Sequence, residues 1–259
     1  MTKIIAITNP KGGVAKSTST TALACIAGEK NNVLLIDLDP QGTCTYLTKQ
    51  FGRHENTASD MFKNDPLLPS DLAIKTEFGF DLVPASPNLI NAVDWIASTT
   101  LGEQRLKMLF AQDKELQKYD YIFIDTAGDK GRLLTSVMLA TDSILVPVKP
   151  SAVVLNDLVD YVGMISDISS IRESMGQKAL NVDSIFFSMV DGRTLAARDN
   201  IEQLMAGLDQ YRVAATMIPS STAIEKAATK MSPVPAAYPN EKVSQCYQDL
   251  FNEIYGAVA

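Results

Sequence analysis

Asn9-Pro10-Lys11-Gly12-Gly13-Val14-Ala15-Lys16-Ser17-Thr18 is the stretch that decides how this chain is read. Before it runs Lys3 to Thr8, where Ile4, Ile5, Ala6 and Ile7 mark a short buried strand. After it, Ser17 to Lys30 reads as a helix with Ala22, Leu23, Cys25 and Ile26 on its apolar side. A strand, a glycine-containing loop and a helix N-terminus make an anion cradle, because successive backbone N–H groups and the positive end of the helix dipole converge on phosphate oxygens. In such a cradle Lys16 neutralises β- and γ-phosphates and the Ser17 hydroxyl ligates Mg²⁺. Two glycines of the general phosphate-loop pattern are missing, with Pro10 at the leading position and Ala15 immediately before the lysine. Alanine disfavours positive φ, so either Ala15 has a helical-type backbone or the loop is strained. The competing reading is a lysine-rich turn whose glycines only give room, and distant parts of the chain argue against it.

Farther along the chain, Val33 to Leu38 is a second buried strand that runs into Asp37-Leu38-Asp39-Pro40, and the strand Tyr121 to Ile124 runs into Asp125-Thr126-Ala127-Gly128. Carboxylates at neighbouring strand ends can face one Mg²⁺ and one γ-phosphate, as nucleotide hydrolysis requires. Phe80–Pro84, Ser143–Val148, Asp183–Met189 and Val213–Ile218 repeat the strand pattern. Helices are expected over Leu133–Ala140, Val153–Arg172, Leu195–Leu208 and Lys242–Val258, and the apolar positions of Leu89–Ile96 with Trp95 fit a helix packed on the core. This alternation predicts a single α/β domain over 1–259, a mostly parallel twisted β-sheet with helices on both faces. Ligand loops then lie at the carboxyl ends of the strands. Phe51–Ile74, with Pro66 and Pro69, reads as a surface excursion.

Composition narrows the function classes. The chain of 259 residues is 46% hydrophobic and 20% charged, enough for a core, and its net charge of −7 excludes a generic polycation. Any contact with nucleic acid has to come from a local patch. No apolar run approaches a membrane span, and with the first strand beginning at Lys3 no signal peptide is expected. Cys25, Cys44 and Cys246 form no CxxC pair and His54 is the only histidine, which removes most support for zinc sites, iron–sulfur cages and histidine triads. A cytoplasmic protein is expected.

Lys11-Gly12-Gly13-Val14-Ala15-Lys16-Ser17 resembles the deviant Walker A box of the ParA/MinD family of ATPases, whose mark is the extra lysine at its start. Asp37-Leu38-Asp39-Pro40-Gln41-Gly42 is similar to that family's second motif and Asp125 to its Walker B aspartate. Leu82-Val83-Pro84-Ala85-Ser86-Pro87-Asn88-Leu89 and Met189-Val190-Asp191-Gly192-Arg193-Thr194 resemble later segments of the ParA/Soj branch. The resemblance covers nearly the whole chain. It implies a P-loop ATPase that binds ATP and Mg²⁺ with Lys11, Gly12, Gly13, Val14, Ala15, Lys16, Ser17 and Thr18, and with Met217 and Pro219 near the base. Lys11, Lys16 and Asp39 would be catalytic, and Ser17, Asp39 and Asp125 would serve the metal. Two subunits would sandwich two nucleotides, Lys11 reaching the partner's phosphates across Gly12.

Within the family, the end Ser244 to Tyr255 carries Asp249 and Glu253 and no lysine or arginine, so a membrane-binding basic helix is not expected. With a strand starting at residue 3, no N-terminal helix-turn-helix extension is expected. The ParA branch implies nonspecific double-stranded DNA, nucleoid association and a ParB-type adaptor that stimulates hydrolysis, for plasmid or chromosome segregation. The arginines that relatives often carry after Ile-Pro are absent, since Ile218-Pro219 is followed by Ser220-Ser221-Thr222-Ala223. Lys226 and Lys230, one helical turn apart, with Lys178, Arg193 and Arg198, are the candidates to replace them, or are simply a solvated surface. Two other functions stay open: positioning of a protein cargo, and a nucleotide-controlled protein-binding switch without DNA.

Overall fold

The computed structural model describes residues 2–151, 154–192, 195–208 and 210–256. In chain order these form β1 (Lys3–Ile7), α1 (Lys16–Ala27), β2 (Val33–Leu38), α2 (Thr43–Leu47), α3 (Pro69–Leu72), β3 (Ile74–Lys75), β4 (Asp81–Val83), α4 (Ile90–Ser98) and α5 (Arg105–Gln112). The second half adds β5 (Tyr121–Thr126), α6 (Arg132–Ala140), β6 (Ser143–Val148), α7 (Val154–Ser174), β7 (Asn181–Phe187), α8 (Leu195–Ala206), α9 (Thr222–Thr229), α10 (Val234–Ala237) and α11 (Lys242–Tyr255).

The sheet runs β3-β4-β2-β5-β1-β6-β7, parallel throughout except for the edge strand β3. The α/β class expected from the alternation is therefore the fold observed. Period-two alternation divides the strands between two cores. Leu34, Ile36 and Leu38 pack with Val137, Ile144 and Tyr161 on one face. Val33 and Leu35 pack with Leu23, Phe123, Phe186, Tyr247 and Leu250 of α1, the sheet and α11 on the other. Both faces being covered is why β2 and β6 are buried along their whole length.

Register positions the chemistry. β5 lies between β1 and β2, with Ile7 and Asp37 both opposite Asp125. The loop after β1 and the carboxylates ending β2 and β5 thus share one edge of the sheet.

Two expectations fail. Val213–Ile218 is not a strand: beside β7 it forms the isolated bridge Ile185 with Val213 and a lone bond from Ile218 N–H to the Phe187 carbonyl (2.8 Å), with a second bridge, Val190 with Pro219, just beyond it. The N–H groups of Ala215 and Thr216 go instead to the Glu253 carboxylate of α11, at 2.7 and 2.9 Å. Nor is 51–74 a surface excursion, because Ala58, Met61, Phe62 and Leu72 are buried in the first core. Its prolines and charges punctuate short turns, while these apolar residues anchor them to the sheet.

A phosphate-loop site at the carboxyl ends of the strands

The loop between β1 and α1 is held from below. Asn9 Nδ2 donates to the Pro147 carbonyl (2.8 Å), its Oδ1 accepts from Lys11 N–H (2.8 Å), and the buried Ser188 hydroxyl donates to the Val14 carbonyl (2.9 Å). The Thr8 and Tyr161 hydroxyls bond to each other and tie β1 to α7. Gly13 (φ 70°) and Ala15 (φ 63°, ψ 32°) are both left-handed, so the strained alternative for Ala15 is the one realised. Between Lys11 and Ser19, whose N–H reaches the Ala15 carbonyl (2.9 Å), no loop N–H is given to another protein group among the described residues. Such a row of free donors at a helix N-terminus suits a phosphate chain.

Lys16 is buried at 7% exposure, and its Nζ donates to the Lys11 carbonyl at 3.1 Å. Burial pushes its ammonium below the ordinary lysine value, against the pull of Asp125, Asp39 and Asp129. A desolvated cation aimed into a row of N–H donors wants an anion. Gly128, in the loop after β5, closes this wall: a Cβ there would lie 3.2 Å from Gly12 Cα and from Lys16 Nζ.

Behind the loop sits a buried acidic pair. Asp125 accepts from Ser17, from the Thr20 hydroxyl (3.1 Å) and from the Cys44 thiol (3.2 Å). Asp37 accepts from the Thr45 N–H (2.8 Å) and hydroxyl (2.7 Å) and from Asp39 N–H (3.2 Å). Burial raises both carboxyls above the ordinary range, and for Asp37 the charge of Asp125 adds to it. Asp37, Cys44 and Asp125 each place a ligand atom within 4.8 Å of the others. Asp39 is half-buried at the mouth, its Oδ1 taking the Gln41 N–H at 2.9 Å. Ser17, Asp39 and Asp125 are thus oxygen donors beside a cationic phosphate loop, a set that suits Mg²⁺.

At the lip, Lys11 Nζ reaches Asp157 Oδ2 of α7 (3.5 Å), and with Pro10, Gly12 and Lys130 these residues line a cleft of about 360 Å³. Met217 is exposed and Pro219 half-buried in the segment beside β7. Of the basic candidates, three are described, and Lys178 lies on a different element from Lys226 and Lys230. Lys178 is exposed at the amino end of β7, whereas Lys226 is exposed on α9 and Lys230, at its C-terminus, has its ammonium 4.2 Å from the Tyr238 ring. Arg193 and the Arg198 side chain lie outside the described residues. Sequence reasoning missed Asn9, Thr20, Cys44, Ser188 and Asp157. Each acts through a contact distant in the chain and carries no local signature.

A family model described as AAA domain matches residues 2–182. The chain is 32% identical to the sporulation initiation inhibitor protein Soj of Bacillus subtilis, over 98% of each chain. To the chromosome-partitioning ATPase Soj of Thermus thermophilus it is 28% identical, over 98% of this chain and 96% of that one. Its fold is similar to that of a McdA variant from Cyanothece solved with ATP, at a TM-score of 0.83 and 20% identity over 98% and 96% of the two chains. With the phosphate loop, the paired strand-end aspartates and these relatives agreeing, the chain belongs to the ParA/Soj-type ATPases of the ParA/MinD family.

Proposed function

We propose that this protein is a ParA-type partition ATPase in which Mg²⁺ and ATP assemble a sandwich dimer that binds nonspecific DNA, and adaptor-stimulated hydrolysis releases it. In this reading the N–H groups of Gly12 to Thr18 cradle the phosphates, Lys16 lies against the β- and γ-phosphates, and Ser17 and Asp125 hold the metal and its water shell. Bound Mg²⁺ supplies charge neutralisation at the phosphoryl oxygens. Asp39 orients the attacking water or takes its proton. Lys11 adds positive charge, from the partner subunit, where the transition state gathers negative charge. Met217 and Pro219 flank the base. The residues 1–259 act as one unit in the cytoplasm on the nucleoid. No helix among the described residues is long and apolar enough to cross a membrane.

One observation at the lip carries the reading. Gly12 has open space where a Cβ would go, so none of the described residues of its own chain demands a glycine there. A partner's phosphates and loop pressing on that position would. Light scattering tests it: Asp39→Ala with Mg²⁺ and ATP is expected at dimer mass and Lys16→Ala at monomer mass. An Asp39→Ala protein that stays monomeric at saturating ATP contradicts the sandwich.

A second reading, a nucleotide-controlled switch for a protein partner or protein cargo, is favoured by one feature. Ser220, Ser221 and Thr222 lead α9 with hydroxyls where relatives often carry arginines, and Lys230 lies against the Tyr238 ring.

A further inference from the structure

The segment after α8 makes an unusual detour. Ala214 N–H bonds to the Ile185 carbonyl and Ile218 N–H to the Phe187 carbonyl, both at 2.8 Å. Four residues of the segment are thus matched to two of β7, and the excess forms a bulge at Ala215–Met217. Inside the bulge, Glu253 Oε1 accepts from Ala215 N–H at 2.7 Å and Oε2 from Thr216 N–H at 2.9 Å, while Arg212 Nη2 donates back to the Glu253 carbonyl at 2.6 Å. Met217, 38% exposed, comes next, and Pro219 follows two residues later.

The helix that carries Glu253 is a fixed platform. Tyr247, fully buried, shares a 3.0 Å hydrogen bond with Ser19, two residues beyond Ser17. Eight residues on, Tyr255 donates to Asp183 Oδ2 (2.9 Å) at the start of β7 and packs on Tyr121 and Phe251. α11 therefore touches the helix of the phosphate loop with one residue and the detour beside β7 with another.

We infer that Glu253 is a positioning residue for nucleotide recognition, fixing the bulge that presents Met217 and Pro219 to the base in register with the phosphate loop. The inference rests on the proposed ATP site. It ties the C-terminal helix to base recognition and leaves phosphate binding independent of Glu253. Without the carboxylate, the N–H groups of Ala215 and Thr216 turn to water and the bulge loses its register.

The test compares two ligands in the presence of Mg²⁺, ATP and inorganic tripolyphosphate, by calorimetric titration of the full chain. Glu253→Ala is expected to weaken ATP by roughly tenfold and to leave tripolyphosphate within about twofold. Glu253→Gln keeps one carbonyl acceptor for two N–H groups, so it loses less than Glu253→Ala. Tripolyphosphate binding by a variant also reports that its phosphate loop is folded. If Glu253→Ala does not fold, the Glu253→Gln comparison decides. Unchanged ATP affinity, or equal losses for both ligands, overturns the inference alone. A wild-type protein that binds tripolyphosphate as tightly as ATP overturns the base wall and the inference with it.

Discussion

Lys11 of the phosphate loop pairs with Asp157 of α7 in its own chain, Nζ to Oδ2 at 3.5 Å, with 35% and 56% of the two side chains exposed. An ion pair so wet contributes less than about 1 kcal/mol, so it holds the lysine without locking it. Asp157→Ala should release Lys11 in both protomers and tighten ATP-dependent self-association by at most about 30-fold, as read from the dimer dissociation constant in sedimentation equilibrium. A weaker dimer would mean that Asp157 serves the assembled state instead.

Ala15 occupies φ 63°, where its Cβ crowds the following carbonyl. Ala15→Gly removes that strain while adding freedom to the unfolded chain, for a net gain of about 0.5–1 kcal/mol in urea unfolding. Ala15→Val, β-branched in the same conformation, should lose more than that. A glycine variant less stable than the parent would show that the loop relaxes in solution.

Opposition of Asp37 and Asp125 across β2 and β5 has a pH signature. Burial raises both carboxyls. The charge of Asp125 raises Asp37 further, and the Thr45 donors oppose it. The folded chain therefore keeps protons that the unfolded chain has released. This contribution to stability is complete below the ordinary carboxylate range, about pH 4, and is lost as pH rises through the raised values. With nucleotide absent and metal chelated, the urea midpoint should fall between about pH 5 and pH 8. Asp37→Asn should flatten the slope, and an unchanged slope in that variant would contradict the assignment.

The three thiols should separate by reactivity. Cys44 is fully buried and donates to Asp125, and burial holds its thiol well above the ordinary value. Burial also pushes Cys25 up to about 11. Iodoacetamide at neutral pH should label Cys246 first, Cys25 slowly and Cys44 only after unfolding, followed by peptide mass spectrometry. Labelling of Cys44 in the folded protein would show that the wall behind the phosphate loop opens.

What could be read in the sequence was local. The run from Lys3 to Lys30 carries its own strand, turn and helix signals, and Asp125 ends an unbroken apolar strand. What escaped depends on contacts across the fold. Val213–Ile218 has the composition of a strand, yet Glu253, 37 and 38 residues away in the chain, takes the Thr216 N–H that a ladder to β7 would need, and the Ala215 N–H with it. Cys44 looks like any small apolar residue until register brings it to Asp125. In 51–74 the prolines and charges masked four buried anchors, because turns and core residues alternate there too closely for a period to show.

The most direct single measurement is the fluorescence anisotropy of a random-sequence DNA duplex titrated with protein and Mg²⁺ under ATP, a nonhydrolysable analogue and ADP, at two salt concentrations. Binding with ATP and the analogue but not with ADP, weakened by salt as each phosphate contact requires, is the expected result. An ATP dimer that binds no duplex even at low salt would contradict DNA as the partner and leave the protein-binding switch in its place.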